Sequence, residues 1–235
     1  QTSIFCIAFT ADLTSELPVS LYMYLCVFPS QTFHPDYGEE IGMSDLLIED
    51  PTLLRDTMAI WYYNHLVDNL HIPKEEAAKY AGSMSRDKNR TPMQWTNSIN
   101  AGFCPPHVTP WLPINTNYKL GVNVIEQENQ STSLLNFYRN VLMIRKAIPA
   151  LSQGDFLPLD ENVNEYFAFI RVTTEQKVLV VLNYSNQAQE IIPSDFNLVP
   201  GKLLFSYPLI TEKHHRNFSL DSYGILIAEV REQVA

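Results

Sequence analysis

Up to about residue 150 the apolar residues recur at helical spacing; beyond it they come in short, strand-like runs. Leu54, Met58, Trp61 and Leu66 step by roughly one helical turn, and Asp50-Pro51 ahead of them supplies an N-cap and a first-turn proline. The pattern predicts a helix over 51–70 with one apolar face; the Trp61-Tyr62-Tyr63 cluster could line a sugar cleft, but helix core is the better reading. Pro73 opens a shorter helical segment, Lys74 to Tyr80, which Gly82 is expected to end. Leu134, Phe137, Val141, Ile144 and Ile148 form one stripe and predict a helix over 131–148. Arg145 and Lys146 fall in its last turn, where the helix dipole favours cations, and Pro149 stops it.

From there the period changes. Runs at 165–172, 177–184, 189–192, 202–206, 216–220 and 223–230 are rich in β-branched and aromatic residues and are divided by turn residues. They predict an all-β domain that begins between Pro149 and Gly154. At the other end, residues 1–36 carry no clear period. Leu21 to Phe28 suits a buried strand as well as a short core helix. Tyr37-Gly-Glu-Glu-Ile-Gly-Met43 reads as a strand end entering a loop, with Glu39 and Glu40 in a turn or capping role.

Composition narrows the classes. A chain of 235 residues, 46% hydrophobic and 18% charged, can bury a globular core. Sixteen basic against 26 acidic residues give a net charge of −10 with no Lys/Arg run, which argues against a nucleic acid or an anionic membrane as partner. No apolar stretch reaches the ~20 residues that span a bilayer. Three cysteines (Cys6, Cys26 and Cys104) cannot all pair and have no metal-ligand spacing, so a reduced, cytoplasmic setting is expected. The chain opens on Gln1 without a basic leader, and is expected to start inside a longer protein rather than with a signal peptide.

Candidate chemistry concentrates between Ser85 and Pro113. In Ser85-Arg-Asp-Lys-Asn-Arg-Thr-Pro-Met-Gln-Trp95, Arg86 and Arg90 stand four residues apart, and Pro92 pushes Thr91 towards an extended backbone. Gly102 and Pro105, Pro106, Pro110 and Pro113 keep the following stretch irregular and stiff, the kind of segment on which binding sites are built. A guanidinium held there can pair with a carboxylate and donate to substrate hydroxyls, or it can satisfy loop carbonyls; the residue types leave both open. No Gly-x-Ser-x-Gly, Walker loop, dinucleotide fingerprint or Cys-x-x-Cys is present, and no cofactor or metal is expected. His214-His215 lacks a spaced third ligand and reads as a surface loop. Asn129, Asn183 and Asn217 stand in glycosylation-type tripeptides, a pattern of low specificity.

An ordered series of segments is more specific. Tyr37-Gly-Glu-Glu-Ile-Gly-Met, Arg86-Asp-Lys-Asn-Arg-Thr-Pro-Met-Gln-Trp, Asn100-Ala-Gly-Phe, Pro110-Trp-Leu-Pro-Ile-Asn-Thr-Asn-Tyr118, Asn123-Val-Ile-Glu-Gln127 and Ser133-Leu-Leu-Asn-Phe-Tyr-Arg lead on to Arg145-Lys146 and Pro149-Ala-Leu. Together they resemble the C-terminal part of the α-glucosidases of glycoside hydrolase family 13, the α-amylase clan, of the oligo-1,6-glucosidase and maltase types.

The resemblance implies an α/β plus all-β chain: the C-terminal end of a (β/α)8 TIM barrel, incomplete here, followed by an antiparallel β-sandwich domain. On that mapping residues 1–36 are an atypical N-terminal segment. Residues 37–149 hold the last strand, a long loop insertion and the last barrel helix, and 150–235 the sandwich. Arg90 matches the family arginine that pairs with an aspartate and holds the terminal glucose, with Arg86 the second choice for that role. The implied partners are α-glucoside oligosaccharides. The implied reaction is retaining hydrolysis by a carboxylate pair about 5–5.5 Å apart. Those acids lie upstream of Tyr37 in the family, and residues 1–36 contain neither Asn-His-Asp nor Gly-Phe-Arg-x-x-Asp; Asp12 and Glu16 are their only acids before Asp36. No catalytic residue is therefore assigned, and these 235 residues alone are expected to be inactive. Two alternatives share the motif series: a non-catalytic carbohydrate-binding or scaffold homologue, and a trehalose synthase or other glucosyl transferase of the same clan.

Overall fold

A computed structural model describes residues 38–159, 164–208 and 217–233. The run from Leu21 to Phe28, the strand expected before Gly38, the acids Asp12 and Glu16, and His214-His215 all lie outside them. The chain divides into two compact units, with the division falling between Tyr138 and Arg139.

The first unit is built from short helices and loops. Helix α1 spans Thr57–Asp68, α2 Lys74–Met84 and α3 Val124–Glu128, with 3-10 turns at Glu39–Ile41, Pro51–Leu53, Arg86–Asn89, Ile99–Gly102 and Thr116–Leu120. The single helix expected over 51–70 is instead two pieces. Asp50 does cap the first turn, accepting from the Thr52 amide at 2.9 Å. Leu54 is then extended, and Asp56 caps a new helix through the Met58 amide at 3.1 Å. The break has a cause further along the chain, because the Arg55 and Asp56 amides are both taken by the carboxylate of Asp87.

Restarting at Asp56 also sets which face is buried. Ala59 packs inward with Ile48, Leu54, Ala81 and Leu112, and Leu66 is buried too, whereas Met58 is 63% exposed and Trp61 59%. Trp61 is not a core residue; its ring stacks on His65 at 5.2 Å. Gly82 does not end α2 either. It is buried, and a Cβ built on it would lie 2.2 Å from the Ile48 carbonyl oxygen, so it permits a close helix–backbone approach inside the helix.

Helix α4, Leu134–Ala147, matches the expected stripe, with Phe137 and Val141 buried. The chain's division falls within this helix. Pro149 stops it and also occupies the first turn of a short helix α5, Pro149–Gln153.

Among the described residues of the second unit, seven strands form two antiparallel sheets: β1 Asp155–Pro158, β2 Tyr166–Val172, β3 Lys177–Asn183, β4 Gln189–Ile191, β5 Leu198–Tyr207, β6 Phe218–Leu220 and β7 Ile225–Glu232. The larger has the order β1-β2-β3-β7-β5 and the smaller pairs β4 with β6. Ala168, Ile170, Leu179, Val181 and Leu226 of the large sheet share a core with Ile191 and Leu220 of the small one, which makes the antiparallel sandwich.

Strand β1 was not expected; it is four residues long and mostly exposed, too short to show alternation. β5 starts earlier than the run at 202–206 and contains Pro200 and Gly201. As an edge strand with register shifts it tolerates both.

On the opposite face of β2, Phe156, Phe167 and Phe169 form a ring cluster with centroids 5.0–6.3 Å apart. Arg171 shares that face and is only 1% exposed, its Nε donating to the Ala150 carbonyl at 3.3 Å. Burial, with the Arg145 charge nearby, holds its pKa below the ordinary arginine value.

Candidate functional site

The loop from Ser85 to Gln94 is held by side chain–backbone bonds to a segment about thirty residues earlier. Ser85 ends α2 and accepts from the Asp87 amide at 3.1 Å through its hydroxyl. Asp87 is buried, and one of its oxygens accepts from the Arg55 and Asp56 amides at 2.6 and 2.8 Å. Asp56 answers by accepting from the Arg86 amide at 3.0 Å and from the Arg86 guanidinium at two points. Each carboxylate thus satisfies amides of the other segment. The Arg86 bonds, side chain first and then backbone, pull the Asp56 pKa from 3.8 down to about 2. Lys88 adds an ion pair to Asp45 at 3.1 Å, and its carbonyl accepts from the Leu46 amide.

The two candidate arginines are therefore placed differently. Arg86 is committed to Asp56. Arg90, held by its amide to the Asp87 carbonyl at 3.1 Å, has φ −116° and ψ 19° and is exposed. Among the described residues no acid pairs with it. Thr91, Pro92, Met93 and Gln94 are buried immediately behind it, so the guanidinium projects from an anchored stretch.

That anchor is a set of buried and half-buried amides. Gln94 donates to the Asn117 side chain at 3.0 Å and to the Val122 carbonyl, and its own carbonyl accepts from the Val124 amide. Asn115 and Asn117 both reach the Ser44 hydroxyl, at 3.1 and 3.2 Å. Asn123 caps α3 through the Glu126 amide and donates to the Tyr118 carbonyl at 2.8 Å. Gln127 donates to the Ile41 carbonyl at 2.8 Å and accepts from the Leu135 amide at 3.1 Å. The residues that made the motif series specific are mostly these, and their work is to pin loops that have no ladder of their own.

Beside the loop lies a cleft of about 350 Å³ that the sequence did not single out as a site. Trp111, 49% exposed, forms one wall, with Arg55, Asn100, Thr109 and Thr116 around it and Leu112 and Tyr118 buried within it. The prolines flanking Trp111 were the available signal; nothing in the local sequence marks Arg55, which arrives through the Asp87 contact. Among the described residues no three His, Cys, Asp or Glu side chains gather to hold a metal, and no helix is long and apolar enough to cross a membrane.

Comparison with known proteins decides the family. The sequence profile described as alpha amylase, catalytic domain, matches residues 19–154, more than half of the chain. The chain belongs to the alpha-amylase family. Among its relatives are the glucan 1,6-alpha-glucosidase of Streptococcus pneumoniae serotype 4, 36% identical over 154 residues (66% of this chain, 28% of that protein), and the alpha-glucosidase of Apis mellifera, 34% identical over 174 residues (73% and 27%). The oligo-1,6-glucosidase of Bacillus cereus is 28% identical over 197 residues, 83% of this chain and 34% of that one. The chain thus spans about a quarter to a third of the length of these relatives.

Solved structures give the same picture. Isomaltulose synthase from Erwinia rhapontici superposes with a TM-score of 0.75 at 29% identity, and trehalulose synthase from Pseudomonas mesoacidophila with 0.77 at 25%; each comparison covers 92% of this chain and 38% of the other. The alpha-amylase family fold, the C-terminal end of a TIM barrel followed by a β-sandwich, is the fold of this chain.

Proposed function

We propose that this chain contributes the glucose-holding side of an α-glucosidase site of the alpha-amylase family, acting on maltose- and isomaltose-type oligosaccharides, with Arg90 as the gripping cation. The closure of Arg86 onto Asp56 carries this reading. It leaves Arg90 as the arginine of the pair with no carboxylate partner among the described residues, exposed on an anchored loop and able to donate two parallel hydrogen bonds to a carboxylate or to sugar hydroxyls. The reaction is retaining hydrolysis, in which a carboxylate nucleophile and a carboxylic acid about 5–5.5 Å apart flank the glycosidic bond. No residue of this chain is assigned either role, so the 235 residues bind without hydrolysing. The half-buried Cys104 thiol, with no disulfide partner among the described residues, suits the reducing, cytoplasmic setting.

The test is titration calorimetry of the chain with isomaltose and maltose, beside an assay with p-nitrophenyl α-glucoside. Saturable heat that Arg90→Ala removes and Arg90→Lys only weakens supports the proposal. Equal heats for all three proteins overturn the role of Arg90, and turnover of the chromogenic glucoside that Arg90→Ala abolishes overturns the assignment of no catalytic residue. A transferase reading is the second choice, favoured by the match over 92% of the chain to an isomaltulose synthase. It predicts isomeric disaccharides formed faster than free glucose.

A further inference from the structure

We infer that the cleft beside Trp111 binds a glucose-containing oligosaccharide, with the indole stacked on a pyranose ring and Arg55 donating to its hydroxyls. The inference rests on the α-glucoside reading above. A pyranose has an apolar face of C–H groups and a rim of hydroxyls, and recognising it takes a flat aromatic surface beside fixed polar groups.

The cleft offers both. Trp111 shows half of its surface to solvent inside a concavity of about 350 Å³, within the usual range of ligand pockets. Pro110 and Pro113 restrict the backbone on either side of it. Arg55 is held at both ends: Asp87 accepts its backbone amide at 2.6 Å, and its Nη1 donates to the Thr52 and Leu54 carbonyls, each at 3.0 Å. The guanidinium is thereby positioned while Nε and Nη2 have no acceptor among the described residues. Thr109 and Thr116 add two hydroxyls that both donate and accept.

Other ligand classes fit less well. One arginine in a chain of net charge −10 makes a poor site for a polyanion. Two threonine hydroxyls and a guanidinium facing a hydrocarbon ligand would be desolvated without partners.

Ligand-observed saturation-transfer NMR with isomaltotriose tests this on the whole chain, irradiating protein aromatic protons. The expected result is transfer concentrated on the ring protons of one sugar unit. Trp111→Ala should weaken binding at least about tenfold, or 1.4 kcal/mol. Arg55→Ala should weaken it with the fold intact, since its backbone amide still reaches Asp87. Trp111→Phe keeps a smaller stacking face and retains part of the transfer, which separates lost stacking from a folding defect. Trp61→Phe, at the tryptophan stacked on His65, changes nothing.

Absence of transfer to isomaltotriose, or equal affinity in Trp111→Ala, overturns the proposal. The role of Arg90 is read independently, from calorimetric heats with disaccharides and the Arg90 variants, so either reading can fail while the other stands.

Discussion

Asp56 and Arg86 meet at two points, Nε to Oδ2 and Nη2 to Oδ1, both at 3.3 Å, while the Arg86 amide donates to the same Oδ2. The Asp56 side chain is 2% exposed and the Arg86 side chain 61%. One side chain thus caps α1, receives the backbone of the next loop and fixes the arginine that precedes the proposed sugar contact.

Replacing Asp56 should separate these roles. Asp56→Ala loses the cap and the ion pair, and should lower unfolding stability by about 1–2 kcal/mol. Asp56→Asn keeps an acceptor for the Met58 amide, and should lose clearly less. Because the folded pKa is depressed, the contribution of the charge is complete above the unfolded value near 3.8 and fades as the pH falls towards about 2. Urea midpoints for the wild type and Asp56→Asn, taken from pH 5 to pH 2, should therefore converge at the acid end. A gap that stays constant or widens there contradicts the assignment.

Gly82→Ala should destabilise, against the helix-propensity gain of about 1 kcal/mol that alanine brings. The new methyl would meet the Ile48 carbonyl at 2.2 Å, and because that oxygen belongs to the backbone the whole segment must shift. A net loss of about 1–2 kcal/mol is expected in chemical denaturation. A more stable variant would show that the helix and the Ile48 segment are not in such close contact.

Arg171→Met should be neutral or stabilising. The arginine is 1% exposed, its Nη1 has no partner among the described residues, and its Nε bond goes to a carbonyl that also accepts from the Gly154 amide at 3.0 Å. Removing the charge relieves desolvation, and methionine fills a similar volume. A drop of more than about 2 kcal/mol would mean that the guanidinium has a counter-charge among neighbours other than those described.

Asn183→Ala should cost about 2–3 kcal/mol, measured by urea denaturation. The side chain is fully buried, donating to the Gln187 and Asp221 carbonyls at 2.8 and 2.7 Å and accepting from the Ser185 amide and hydroxyl at 2.9 and 2.8 Å. The same burial removes it from the glycosylation candidates. Expression in a glycosylating host followed by peptide mapping should find no sugar at Asn183.

The sandwich was the most legible part of the chain, because β2, β3 and β7 are long apolar runs buried on both faces and bounded by turn residues. The stripe in α4 was equally direct. The misreadings around α1 and α2 share one origin. Their boundaries are set by Asp87 and by the Ile48 carbonyl, contacts distant in sequence that no local period encodes. At the candidate site, Arg86 and Arg90 were visible as a pair, but their division of labour depends on Asp56, thirty residues away. Trp111 was in plain view as part of a motif, yet its cleft depends on Arg55, which only the fold delivers.

The bond from Gln127 to the Ile41 carbonyl joins residues 86 positions apart, while the β2–β3 hairpin pairs Val172 with Lys177 across a short turn. Loop-closure entropy grows with the length enclosed, so the two contacts form on different clocks during folding. The hairpin can zip as soon as its own residues are free. The Gln127 tie must wait until the intervening helices and loops have shortened the effective loop. Pulse-labelled hydrogen exchange during refolding should therefore protect the Leu135 amide, which also leans on Gln127, later than the amides of β3. The segment that carries Arg90 lies inside that slow loop, so it would be among the last parts of the chain to take its final shape.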